Sequence, residues 1–328
     1  MDAALLQRAK MGRLILCFLL AVALPLTGNT QTYPAKSVRL VVGFPPGGAN
    51  DILARLVGAR LQEAWGQSVV VDNKPGANAI IGTDFVAKSA PDGYTLLVGA
   101  SGAMAFNPGL YDKLPYDPQR DFAPVTMLGS FPLVLGINPS LPAQSVQELI
   151  AFAKASPGKL NYGAGSTPFR LAAELFKAQA DLRIDHIPYK GSAATVAAVM
   201  ANDVQLTFVD APPAMAPIRA GRLRALAVTS RTRAAVLPEV PTMIEAGLAQ
   251  YEVVLWTSLF APAGTPKPVL DAIHAQAVKA LQVPEVRERM AALGIDPVGN
   301  TPEQLAAVLR ADLEKWTAVA KSAGVKAE

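Results

Sequence analysis

The run VRLVVGF, Val38 to Phe44, is almost wholly apolar and breaks straight into PPGGAND, Pro45 to Asp51. A strand that is apolar at successive rather than alternate positions is buried on both faces. That is the condition of a parallel strand with helices packed above and below it. The next segment, NDILARLVGARLQEAWG, places Ile52, Leu53, Leu56, Val57 and Leu61 at helical spacing. The alternation continues through SVVVDN, a helix near IIGTDFVAKSA, and YTLLVGAS, which predicts an α/β unit built on a parallel sheet.

The middle of the chain repeats this pattern. LVLGIN leads to the helix SVQELIAFAKAS, and LNYGAG to the helix PFRLAAELFKAQA. RIDHIPYK leads to SAATVAAVMAND, after which come the strands VQLTFVD and LRALAVTS. The last part is mostly helical. Chain crossings are expected near LGSFPLVL (Leu128 to Leu135) and YEVVLWTSLFAP (Tyr251 to Pro262), both β-rich. The fold class read from this is α/β in two lobes, with a ligand cleft between them. The expected division is residues 31–132 plus 254–328 for a discontinuous first lobe and 133–253 for the second. With 328 residues, two lobes have substantial cores.

The N-terminus reads as an export leader over residues 1–30. Arg8, Lys10 and Arg13 precede the apolar run Leu14 to Leu26, and small polar residues follow. The run is shorter than the roughly 20 apolar residues a bilayer span needs. The expected location is therefore the periplasm. Cys17, the sole cysteine, lies in this leader, so no disulfide, thiolate metal site or cysteine nucleophile is expected after cleavage. No metal or cofactor is expected. The net charge of +4 is dispersed, without runs of like charge, which argues against nucleic acid.

Two stretches share one layout: a strand end, glycines, then a helix start. In the first, Gly47 and Gly48 precede Asn50 and Asp51. In the second, YGAGSTPFR, Gly165, Ser166 and Thr167 precede Pro168, with Arg170 about one turn in. The first N–H groups of a helix are unpaired and carry partial positive charge, and glycine lets a ligand come close, so both starts suit a carboxylate. The structural alternatives are a tight turn, Asp51 capping its helix or pairing with Arg55, and a solvated Arg170. Neither stretch is a phosphate loop or a dinucleotide fingerprint. Lys190 (beside Gly191 and Ser192) and Asp210 stand at strand ends of the second lobe, where open α/β sheets hold ligands. Asp210 is a candidate to receive an ammonium group or hold a water, or to cap a turn before Pro212 and Pro213. A Ser101–His186–Asp210 triad is a conceivable hydrolase arrangement, but GASGA is not a nucleophile elbow, and His186 reads as a strand residue. His274 reads as a surface residue of a helix.

From Tyr33 onward the chain resembles the extracytoplasmic solute-binding proteins of tripartite tricarboxylate transporters, the Bug proteins. The matching text includes YPAKSVRLVVGFPPGGANDILARLV, APDGYTLLVG, LYDKLPYDPQRDFAPVTML, PAQSVQELIAFAKASPGKLNYGAGS, HIPYKGSAAT, GRLRALAVTS, LPEVPTMIEAGL and FAPAGTPKPV. The resemblance implies a periplasmic-binding-protein fold of the type II-like kind with a two-strand hinge. It implies a small carboxylate ligand held by main-chain N–H groups and bridging waters, and delivery to a membrane permease rather than catalysis; a monomer is expected. A ligand-presenting role in signalling is the alternative. It carries ligand contact over to Phe44, Gly48, Ala49 and Asp51, to Gly165, Ser166 and Thr167, and to Ser101 and Asp210. Many relatives have His where this chain has Arg170, which bears on ligand charge.

Overall fold

The computed structural model describes residues 33–322 and 326; the expected leader and Cys17 lie outside them. In chain order the elements are β1 (Val38–Val42), α1 (Ala49–Trp65), β2 (Val69–Asn73), α2 (Ile80–Ala87), β3 (Thr95–Ala100), a π-helical turn (Gly102–Phe106), β4 (Phe122–Ile137) and α3 (Val146–Ala155). Then come β5 (Asn161–Ala164), α4 (Thr167–Ala180), β6 (Asp185–Pro188), α5 (Ser192–Ala201), β7 (Leu206–Asp210), α6 (Ala211–Arg219) and β8 (Arg224–Val228). The chain ends with β9 (Val254–Pro262), α7 (Lys267–Gln282), α8 (Pro284–Ala291), β10 (Asp296–Pro297) and α9 (Pro302–Ser322).

The strands follow the order β2-β1-β3-β9-β4-β7-β5-β6, with β8 and β10 also paired to β4. Parallel pairing is confined to the flanks: β1 with β2 and β3 on one side, β5 with β6 and β7 on the other. The centre is antiparallel, where β4 meets β9, β7 and β8. The parallel sheet expected from the apolar runs holds in the flanks, and the segments expected as crossings form the antiparallel centre. β4 and β9 run in opposite directions, so every ladder they make with each other is antiparallel.

β4 is long because it serves two sections. Its residues Phe122 to Pro132 pair with β9, and Leu133 to Ile137 pair with β7. The change of partner is held by Thr229, which is fully buried. Its hydroxyl accepts the Leu133 N–H at 2.7 Å and donates to the Val253 carbonyl at 2.6 Å. Its N–H donates to the Leu133 carbonyl, and its carbonyl accepts the Val253 N–H. Four bonds on one residue thus tie the outgoing strand to the returning one.

Each section has its own apolar core. α1 buries Leu53, Ala54, Val57 and Leu61 against the sheet, leaves Ile52 and Leu56 half-buried, and stops at Gly66, whose φ of 62° gives the left-handed cap. In the other section Phe208 lies between Phe176 and Tyr251, and the Tyr251 hydroxyl donates to the Ala172 carbonyl at 2.6 Å. α9 docks on the first section. Trp316 stacks on Phe106 at 4.1 Å, and the Trp256 indole N–H donates to Asp312 at 2.6 Å.

α6 was not legible in advance, because Pro212 and Pro213 read as a turn. They fall in its first turn, where a helix needs no N–H donor. Among the described residues no helix is long and apolar enough to cross a membrane, and no group of acids, histidines or cysteines has metal-ligand proximity.

Candidate functional site

Five strands, β1, β3, β5, β6 and β7, end at the rim of one cavity, and a helix begins directly after each. The residues at these five helix starts are Gly48, Ser101, Ser166, Gly191 and Asp210. None caps its helix with a side-chain hydrogen bond. Ser145, away from the cavity, does cap its helix by accepting the Glu148 N–H. The cavity is therefore ringed by helix starts whose first N–H groups have not been taken up by their own caps. The donors are uneven around the rim: Pro168, Pro212 and Pro213 in the first turns of α4 and α6 carry no N–H and the Ala49 N–H is taken by Asp210, so the free donors and positive partial charge come from the remaining first-turn positions. An apolar wall of Phe131, Leu255, Trp256 and Phe169 closes the other side.

At the first junction Phe44 and Gly48 line the cavity. Gly48 lies close to the opposite section: a Cβ there would stand 3.5 Å from the Ser192 hydroxyl and 3.6 Å from Asp210. The Ala49 N–H donates to Asp210 Oδ2 at 2.7 Å. Gly47, at φ 96°, lies outside the lining and donates its N–H to Asp51 at 3.1 Å. Asp51 borders the cavity, yet its oxygens are already engaged by Gly47, by Arg55 at 2.9 Å and by the Asn73 amide at 3.0 Å. Burial would raise its carboxyl, but the bonds from Arg55, Asn73 and Gly47 hold it below its ordinary value. Asp51 thus shapes the loop, the structural alternative raised from the sequence.

At the second junction the residues divide. Ser166 lines the cavity, whereas Gly165, Thr167 and Arg170 line a second one that shares Ser166 with it. Arg170 sits by Tyr162, whose hydroxyl donates to Glu174 at 2.6 Å. Gly165 is demanded by geometry: a Cβ there would lie 2.3 Å from the Gly191 carbonyl oxygen. The backbones of the β5 and β6 loops are in contact, joined by the Gly191 N–H donating to the Gly165 carbonyl at 3.1 Å.

Ser101 is buried on the rim and accepts the Trp256 N–H at 3.4 Å. Lys190 is exposed at the mouth and makes no ion pair among the described residues. Asp210 is 3% exposed. Burial pushes its carboxyl above the ordinary value, against bonds from the Ser192 hydroxyl, the Ala49 N–H and its own N–H. The structure does not bring the conceivable triad together. Ser101 and Asp210 border one cavity, while His186 borders the other and packs on the Tyr162 ring at 5.1 Å. His274 is half-buried, its ring nitrogen 3.1 Å from the Asn300 carbonyl, rather than a free surface residue.

Sequence reasoning missed Asn50, whose side-chain oxygen accepts the Thr257 hydroxyl at 2.6 Å, and the wall from Phe131, Leu255 and Trp256. Those wall residues lie in β4 and β9, which read only as crossings.

Residues 53–325 match the family described as "Tripartite tricarboxylate transporter family receptor". The chain belongs to this family. It is 38% identical over 301 residues to Protein BugT of Bordetella pertussis, spanning 91% of this chain and 92% of that one. Among solved structures it is similar to R. palustris Rpa4515 with adipate, at 36% identity and a TM-score of 0.87, covering 90% of this chain and 99% of that one. It is also similar to the periplasmic binding protein BugD, at 32% identity and a TM-score of 0.86, covering 90% and 100%. The tripartite tricarboxylate transporter receptor family is one of solute-binding proteins rather than enzymes, and the two-lobed α/β architecture is that of periplasmic binding proteins.

Proposed function

We propose that this chain is a periplasmic receptor that captures a small carboxylate in the cavity between its sheet sections and hands it to a tripartite tricarboxylate-type permease. The observation that carries this is the ring of five helix starts without side-chain caps around one cavity. Such a ring offers a carboxylate several N–H donors without a formal positive charge beneath it. The apolar wall suits the ligand's carbon body. The proposed working unit is a monomer of two lobes, 31–132 plus 254–328 and 133–253, hinged where β4 changes partners and β9 begins. Phe44, Gly48, Ser101, Ser166 and Lys190 are the proposed contacts, with Thr167 and Arg170 reached only by a ligand extending past Ser166; Ala49, fully buried and with its N–H given to Asp210, is not among them. The similar protein solved with adipate supports a dicarboxylate as the first candidate.

The test is a thermal-shift and calorimetric screen of mono-, di- and tricarboxylates. A ligand raises the melting temperature through mass action, by about 2.7 kcal/mol of stability at one hundred times its Kd. The same measurement on Gly48→Val is expected to show lost binding with the fold retained, because the added methyls reach Ser192 and Asp210 across the cavity. Unchanged melting with every carboxylate, or full affinity in Gly48→Val, would overturn the proposal.

A further inference from the structure

The cavity ringed by helix starts has a counterpart on the other face of the crossing strands. β4 and β9 pair Phe131 with Leu255 and Pro132 with Val254. Opposed residues share one face of a strand pair, and successive residues alternate between faces. Phe131 and Leu255 border the ringed cavity, whereas Pro132 and Val254 border a rear cavity of about 270 Å3, which Phe131 also reaches. The rear cavity lies between the two sheet sections. Ala235 and Val236, which follow β8, border it on one side, and Ala291, Gly294 and Ile295, from the end of α8 towards β10, on the other.

The sections touch beside this cavity. A Cβ on Gly294, which has a φ of 70°, would stand 2.8 Å from Val236 Cγ1 and 3.2 Å from Ala211 Cβ. Val236 packs in turn on a cluster of Ala211, Met215 and Leu237. The rear seat is therefore joined to α6, the helix that starts at the ringed cavity directly after Asp210. The front edges of the sections meet as well. The Ala49 N–H reaches Asp210 at 2.7 Å, and a Cβ on Gly191 would stand 3.4 Å from Pro45.

Cavities on opposite faces of one strand pair respond oppositely to rotation about it. Parting the front edges widens the ringed cavity and drives the residues around Ala235 towards the end of α8. Packed contacts such as Gly294 on Val236 yield little, so the open volume beside them is what must shrink.

Resting on the two-lobed receptor reading above, we propose that the rear cavity is a built-in control of ligand affinity. It has its full volume only while the front edges meet, and a group that fills it holds the ligand cavity shut.

The experiment places a leucine at Ala291 or at Ala235, exposed alanines that border the rear cavity. The added side chain fits while the front edges meet and is crowded when they part. Small-angle X-ray scattering of Ala291→Leu and Ala235→Leu without ligand is expected to give a smaller radius of gyration than the native protein. Calorimetry follows with adipate, or with the carboxylate that shifts the melting curve most if adipate shifts it not at all. Binding is expected to tighten by about 3- to 10-fold, because apparent affinity scales with the fraction of free molecules already in the binding arrangement. Ala292→Leu, an equally exposed neighbour that does not border the cavity, should change neither quantity. A radius that falls in neither folded variant, or an affinity that does not rise with it, would overturn the proposal. The same gain in Ala292→Leu would overturn it too. So would failure of both cavity variants to fold, since the space would then not be free to take a side chain. Scattering needs no ligand: if no carboxylate binds, the carboxylate reading falls and the radius alone decides this one.

Discussion

The main-chain N–H of Ala49 donates to Asp210 Oδ2 at 2.7 Å, joining the start of α1 to the end of β7 across 161 positions of sequence. The carboxylate sits on the positive end of a helix, which is the place the proposed function assigns to a ligand. Burial nevertheless dominates and holds its carboxyl above the ordinary value of 3.8. A group with a raised folded value contributes stability that is full below its unfolded value and is lost as pH rises through the folded one. Asp210→Asn, fixed as neutral, is therefore expected to melt at or above the native temperature near about pH 7.5, with the gap closing towards about pH 3.5. Melting curves at both pH values check this. A variant markedly less stable at the higher pH would show that the charge itself stabilises the fold.

Asp51 should behave in the opposite sense. Its carboxyl is held low by Arg55, Asn73 and Gly47, so its contribution is present above the ordinary value of 3.8 and lost as pH falls below it. Asp51→Asn is expected to cost about 1–3 kcal/mol at neutral pH, the range for a buried, charge-assisted network losing its acceptor. The difference from the native protein should shrink as the pH is taken below about 3.8. Urea midpoints across the pH series measure it, and a deficit that stays constant with pH would contradict the assignment.

Thr229 is the most demanding position in the joint between the two sheet sections. Thr229→Val keeps the shape but removes the hydroxyl, leaving the Leu133 N–H and the Val253 carbonyl without their bonds to it. Two buried backbone groups without partners cost about 2–5 kcal/mol together. The variant should show a lower urea midpoint with an unchanged slope. Thr229→Ser, which keeps the hydroxyl, should recover most of the loss, and failure of that rescue would point to packing of the methyl instead.

The alternation of apolar runs and helical patterns was enough to determine an α/β chain in two sections. Strand-then-glycine junctions at Gly48 and Gly165 read as ligand-facing; Gly48 lines the first cavity, whereas Gly165 lines the second. These features are local: apolar periodicity, glycine freedom and helix-start chemistry act over a few residues and can be read in order. The matching segments from Tyr33 onward also carried the family resemblance. What could not be read there depends on partners far apart in the chain. Asp51 looked equally suited to cap, pair or bind, and only the arrival of Asn73 beside Arg55 made it a loop-builder. Thr167 follows Ser166 directly and Arg170 stands one turn on, yet they face a different cavity, because helix rotation against the sheet sets which side of a terminus a residue occupies. Phe131 and Leu255 became a wall only when β4 and β9 paired. The sequence by itself determined the layers and the kind of chemistry at the strand ends. The tertiary structure alone decided which of those ends meet and which side chains they leave unsatisfied, because hydrogen bonding and burial are settled by neighbours in space rather than along the chain.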